Sequence, residues 1–206
     1  MLPSNQPTTA KVILLSDIMN VMKLVWDTSS LSHAFEDLTH AIGSAIMYCA
    51  GKMKCDIKRF LRRRFRSEHD AKELLLDCDE NVCFIPEEIN RELMRNPQMR
   101  DELEFLVYGD ETEMIRRYGR RARNAGRIFK PRLKVRRVKP EYFRDVVSVA
   151  RRYGINISEQ DMKAIALAYQ EGATLVTADR KMKELAEIIG IPVIYTVGEE
   201  VGKVKI

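Results

Sequence analysis

The sequence predicts an α/β protein built on a central parallel sheet. Three observations carry this. Apolar runs at Leu24–Asp27, Val82–Ile85, Thr174–Thr177 and Ile191–Tyr195 have the length of buried strands. Helical stripes lie between the later runs, the clearest being Phe143, Val146, Val147 and Ala150 at i, i+3, i+4, i+7. Acidic residues stand where apolar runs end, as at Asp27 and Asp179. Strands alternating with helices at this spacing build parallel sheets, and ligands then bind at the carboxyl ends of the strands.

Taken in order, residues 1–22 form an N-terminal extension. Its opening ten are a loose leader with Pro3 and Pro7, and residues 11–22 fit either a short helix or an extra strand. The α/β domain then runs over 23–206. The strand Leu24–Asp27 leads into a helix from about Leu31, and the segment 33–76 has no proline and reads as two or three helices. Val82–Ile85, closed by Pro86, feeds a helix on which Ile89 and Leu93 point inward, with Glu88 and Glu92 sharing the neighbouring face. Residues from about 97 to 140 are polar, rich in arginine and broken by Gly109, Gly119 and Gly126, which marks an insertion. Beyond it come the Phe143–Ala150 helix, a helix with Met162, Ile165 and Tyr169, and the strand Thr174–Thr177. A helix with Met182, Leu185, Ala186 and Ile189 ends at Gly190 before the last strand.

With 45% hydrophobic residues among 206, the chain can bury a sizeable core, and its net charge of +5 is modest. The distribution of charge says more than the total. One basic run holds Lys58, Arg59, Arg62, Arg63, Arg64 and Arg66. A longer one holds Arg116, Arg117, Arg120, Arg121, Arg123, Arg127, Lys130, Arg132, Lys134, Arg136, Arg137 and Lys139. Both suit a polyanion's phosphates, although solvated helix faces look the same in sequence. Cys49, Cys55, Cys78 and Cys83 form neither a C-x-x-C pair nor a zinc-ribbon spacing, so reduced, mostly buried thiols are expected. The Val12–Leu15 run is too short for a membrane span and nothing resembles a signal peptide, so cytoplasm is the expected compartment.

The candidate chemistry rests on Asp27, Glu92, Asp161 and Asp179. Carboxylates gathered at strand ends suit a hard divalent cation that keeps positions open for water and substrate. Each acid also has an ordinary explanation. Asp27 and Asp179 can cap the helices that follow them, and Ser158-x-x-Asp161 matches a capping box. Glu92 can pair with Arg95, as Glu88 can with Arg91. Competing chemistries fare worse. The three histidines all lie in the first half, and no Gly-rich phosphate loop or G-x-S-x-G elbow is present.

The ordered set Leu24-Val25-Trp26-Asp27-Thr28-Ser29, Phe84-Ile85-Pro86 with Glu92-Leu93, Ser158-Glu159-Gln160-Asp161 with Ala164, Ala166 and Ala168, and Thr177-Ala178-Asp179 resembles the PIN-domain nucleases. The resemblance implies a three-layer α/β/α sandwich and Mg²⁺- or Mn²⁺-dependent hydrolysis of single-stranded RNA. It makes Asp27, Glu92, Asp161 and Asp179 the metal-binding acids, with Glu88 as an alternative, and Ser29 and Thr177 the hydroxyls that orient them. The segments 33–76 and 97–140 make the chain longer than the VapC-type toxins of the family, and Val149–Gly154 looks more like the ribosomal-RNA-processing members. The expected partner is therefore RNA, without a membrane. Homodimerisation, a place in an RNA-processing complex as a catalytically weak RNA-binding subunit, and a toxin held by an antitoxin are further expectations.

Overall fold

The computed structural model describes residues 21–35, 75, 78, 81–97, 100 and 133–196. Five strands, β1 (Lys23–Trp26), β2 (Val82–Pro86), β3 (Leu133–Arg136), β4 (Thr174–Thr177) and β5 (Val193–Tyr195), form one sheet in the order β3-β2-β1-β4-β5. Every pairing is parallel. Among the described residues five helices connect or flank them: α1 (Thr28–Phe35), α2 (Glu87–Arg95), α3 (Pro140–Tyr153), α4 (Glu159–Glu171) and α5 (Arg180–Ile189). This is the α/β/α arrangement expected from the sequence.

Burial explains why the central strands read as unbroken apolar runs. Leu24, Val25 and Trp26 of β1 are fully buried, as are Leu175 and Val176 of β4. A strand covered on both faces has no polar side to alternate with. α4 supplies a buried block from Ala164 to Ala168 and packs against β1, β2 and β4, its three alanines leaving room for a close approach of helix and sheet. Its Tyr169, expected on the inward stripe, is instead exposed and meets Tyr142 of α3 edge-on.

Strand order puts the working end in one place. From β1 the chain steps one way to β2 and β3, and from β4 it steps the other way to β5. The carboxyl ends of β1 and β4 therefore flank the point where winding reverses, where a crevice opens in such sheets. Register sets Trp26 opposite Val176, so the next residues, Asp27 and Thr177, meet there.

Three further expectations change. Leu133–Arg136, inside the stretch expected to be insertion, is the edge strand β3, with Leu133 buried and Lys134 and Arg136 exposed. Its strand pattern is masked by alternating cations, and Arg136 lies over the Phe84 ring at 5.8 Å. The first helix begins at Thr28 rather than near Leu31, because Asp27 itself is its cap. Cys78 and Cys83 are not reduced thiols but a disulfide, since the chain entering β2 brings their Cα atoms to 5.5 Å. The expectations for residues 1–20, for most of 33–76, for Cys49 and Cys55, and for both basic runs up to Arg132 lie outside the described residues. No helix among the described residues is long and apolar enough to cross a membrane.

Candidate active site

Asp27 is the centre of the arrangement. Among the described residues the buried polar or charged side chains are Asp27, Ser30 and Thr177, and they form one hydrogen-bonded group. The Ser30 N–H donates to Asp27 Oδ1 at 2.6 Å, the helix-capping bond of α1. Thr177 Oγ1 donates to Oδ2 at 2.5 Å and Ser29 Oγ to the same oxygen at 2.8 Å. Ser30 Oγ binds the Val176 carbonyl at 2.9 Å and stitches α1 to β4. Burial raises the Asp27 pKa above its ordinary 3.8, and the donated hydrogen bonds from Ser30, Thr177 and Ser29 pull the other way without cancelling it.

Both hydroxyls are held as donors. Ser29 Oγ accepts from the Ala178 N–H at 3.3 Å and Thr177 Oγ1 from the Asp179 N–H at 3.0 Å. The turn after β4 thus fixes the hydroxyls that fix Asp27. The same turn carries Asp179, the N-cap of α5, whose Oδ1 accepts from the Lys181 and Met182 N–H groups at 2.7 and 3.0 Å.

Glu92 joins through a residue the sequence reading passed over. Thr28, next to Asp27, donates to Glu92 Oε2 at 3.2 Å. The ion pair with Arg95, the ordinary alternative for Glu92, does not form. Glu88 behaves differently. Its Oε1 takes Lys163 of α4 at 3.3 Å and Arg91 at 3.6 Å, and its Oε2 is buried with no hydrogen-bond partner. The ion pair with Lys163 sets the start of α4 against the start of α2, beside the end of β2. A polar groove of about 430 Å³ runs along this junction, lined by Glu88, Arg91, Glu92, Arg95, Asn96 and Gln160.

Asp161 is next to Gln160 and forms a complete capping box. It accepts from the Ser158 N–H and hydroxyl at Oδ2, at 3.2 and 2.7 Å, while its own N–H donates to Ser158 Oγ. No hydrogen bond connects it to Asp27, Glu92 or Asp179. Asp27 and Asp179 are thus joined through Thr177, Glu92 is held by the chain neighbour of Asp27, and Asp161 stands in the first turn of α4 without a bond to the other three.

Cap and ligand are compatible roles for a carboxylate, because it has two oxygens. Asp179 Oδ2, Asp161 Oδ1 and Glu92 Oε1 meet no protein donor among the described residues, and Asp27 Oδ1 has only one. Among the described residues no three acidic, histidine or cysteine side chains are grouped closely enough to hold a metal ion by themselves. A hard divalent cation does not require three protein ligands. Mg²⁺ keeps several waters and takes one or two carboxylates together with substrate phosphate. Carboxylate oxygens left without a protein donor are hard ligands of the kind such a cation takes.

The PIN-domain family model matches residues 59–188, more than half of the chain. The chain belongs to the PIN-domain family. Its members are generally metal-dependent nucleases. The match begins after β1, so Asp27 lies outside the matched segment. Among solved structures the chain is similar to FitAcB from Neisseria gonorrhoeae, with 14% identity and a TM-score of 0.40 over 84% of this chain and 97% of that one. It is also similar to FitAB bound to an IR36 DNA fragment, with 15% identity and a TM-score of 0.39 over 84% of this chain and 94% of that one. No curated protein matches the chain.

Proposed function

We propose that this PIN-domain protein is an endoribonuclease that hydrolyses phosphodiester bonds of single-stranded RNA with Mg²⁺ or Mn²⁺. The observation that carries the reading is Asp27, a carboxylate buried to 1% exposure at the point where a parallel sheet reverses, oriented by four donated or bridged hydrogen bonds. A fold does not bury a charge there for stability, since desolvation works against it. Asp27, Asp179 and Glu92 are the metal-binding acids of this reading, Asp161 the fourth, and Ser29 and Thr177 hold Asp27 in one orientation. Glu92 is preferred to Glu88 because Thr28 ties it to Asp27, whereas Lys163 occupies Glu88.

When bound, the divalent ion supplies positive charge to a phosphate oxygen and lowers the pKa of an attacking water. The chain's part is to present carboxylate oxygens that need no reorganisation, and to leave open positions for water and substrate. Hydrolysis then gives a 5′-phosphate and a 3′-hydroxyl. Lys134, Arg136 and Arg137 on and just past β3 stand at the sheet edge, with Arg136 level with Pro86 at the carboxyl end of β2. They extend the basic run to the working end of the sheet and contact the RNA backbone.

The test is cleavage of a panel of structured and single-stranded RNAs with and without Mn²⁺, followed by analysis of the product ends. Cleavage by the parent and none by Asp27→Asn is expected. Equal cleavage by the two proteins would overturn the reading.

A further inference from the structure

We propose that the groove between α2 and the start of α4 is a subsite for the phosphodiester next to the one that is cut, held by Arg95 with Arg91. This rests on the nuclease reading above. The groove runs from Glu92, which Thr28 ties to Asp27, out to Arg95 and Asn96. Glu88, Arg91, Glu92 and Arg95 fall at i, i+3, i+4 and i+7, so one face of α2 carries both the acids and the cations.

The pairing on this face is what singles out Arg95. It stands three residues after Glu92, a spacing at which helical ion pairs form, yet among the described residues it has no ionic partner. Arg91 reaches Glu88 only at 3.6 Å, and its side chain is 61% exposed. Such a bond is worth little and leaves most of its donors free. Across the groove, the Gln160 amide makes no hydrogen bond among the described residues. The groove thus presents a planar five-donor fork without an acceptor among the described residues, one helical turn from an acid of the proposed centre. A guanidinium in that state matches a phosphate bidentately.

There is also an electrostatic reason for cations here. An RNA strand drawn toward a group of carboxylates is repelled by them, and fixed positive charge beside the group offsets that repulsion where the strand leaves it. Arg95 then fixes the register of the strand relative to Asp27, a positioning role and not a chemical one.

The experiment is fluorescence polarisation of end-labelled single-stranded RNA and DNA hexamers of the same sequence, on the full chain, in EDTA so that nothing is cut. Parent, Arg95→Ala, Arg95→Lys and Arg144→Ala are titrated at several salt concentrations. Arg95→Ala is expected to bind both hexamers about tenfold more weakly, with the slope of log affinity against log salt reduced by about 0.7, the single-strand value for one lost phosphate contact. Arg95→Lys keeps the slope and loses part of the affinity, and Arg144→Ala, on an exposed face of α3, matches the parent. Unchanged affinity and slope in Arg95→Ala, no binding by the parent, or a loss confined to RNA would each overturn the phosphate subsite. A circular dichroism melt shows that Arg95→Ala is folded. Parent protein that binds RNA with the expected Arg95 dependence but cuts nothing in Mn²⁺ refutes the nuclease reading and leaves the subsite standing. Cleavage by a parent whose binding ignores Arg95 refutes only the subsite.

Discussion

Thr177 Oγ1 lies 2.5 Å from Asp27 Oδ2 across 150 residues of sequence, and its hydroxyl is the donor. The Asp179 N–H donates to Thr177 Oγ1 at 3.0 Å, so the acceptor side of that hydroxyl is taken. The other acceptor in reach is the Met182 thioether at 3.6 Å, a weak one. The bond is thus directional, and β4 holds the carboxylate that ends β1.

Thr177→Val keeps the shape and removes the donor. It leaves Asp27 short of one hydrogen bond and the Asp179 N–H without its acceptor, at a cost of about 1–3 kcal/mol. A urea melt at pH 7 measures this, and Thr177→Ser recovers most of it. Mn²⁺-supported cleavage by Thr177→Val falls about 10–100-fold, the usual effect of losing a group that orients a metal ligand.

Asp27→Asn acts on stability in the opposite direction. Burial holds the folded-state pKa of Asp27 above 3.8, so between 3.8 and that value the folded chain binds more protons than the unfolded one. Asp27 therefore makes stability fall as pH rises through this window, and the cost is fully present above it. Removing the charge removes the cost. Melts from pH 4 to 7.5 will show Asp27→Asn gaining on the parent as pH rises and melting higher at neutral pH, while cleavage drops to background. A variant less stable than the parent at pH 7 would show that the hydrogen bonds outweigh burial.

How much of this was readable beforehand depended on whether a residue's signal was local. Strands β1, β2 and β4 announce themselves because burial leaves continuous apolar runs, and half-buried β5 is a short apolar run as well. β3 does not, since Lys134 and Arg136 alternate with Leu133 and Val135 on an edge, where half of each residue pair faces water. Asp27 and Asp179 were legible from the apolar runs before them. Thr28 and Lys163 were not, because each acts on a glutamate of α2 distant in sequence, and such a pairing has no local pattern. The Cys78–Cys83 bond escaped for a similar reason, as a sequence separation of five does not by itself mark a bridge.

Asp161 separates cap from ligand by chemistry. Asp161→Ala removes the acceptor for Ser158 and costs about 1 kcal/mol. Asp161→Asn keeps one acceptor oxygen and costs less. If the free Oδ1 serves a metal, both variants weaken Mn²⁺ binding in calorimetric titration, whereas a pure cap leaves that affinity at the parent value. The two readings differ most in Asp161→Asn, where stability is nearly kept.

Glu88 and Glu92 share a face of α2 but are held by opposite means, and this predicts opposite consequences. Glu88 is part of an ion pair whose partners are mostly covered, Lys163 being 19% and Glu88 21% exposed. Glu159 first and Glu88 second raise the Lys163 pKa above 10.5. A raised lysine contributes stability that is complete below 10.5 and lost as pH climbs through the folded value, so this junction weakens only in alkali. Glu88→Gln should cost about 1–2 kcal/mol by leaving Lys163 with Glu159 alone, and it should spare most of the cleavage. Glu92→Gln touches an exposed side chain with a single hydrogen bond from Thr28, so its melt stays within about 0.5 kcal/mol of the parent. Its cleavage and Mn²⁺ affinity should nevertheless collapse. The reverse result, activity lost in Glu88→Gln and kept in Glu92→Gln, would move the metal-binding glutamate one turn toward β2 and make Lys163 its counter-ion in the free protein.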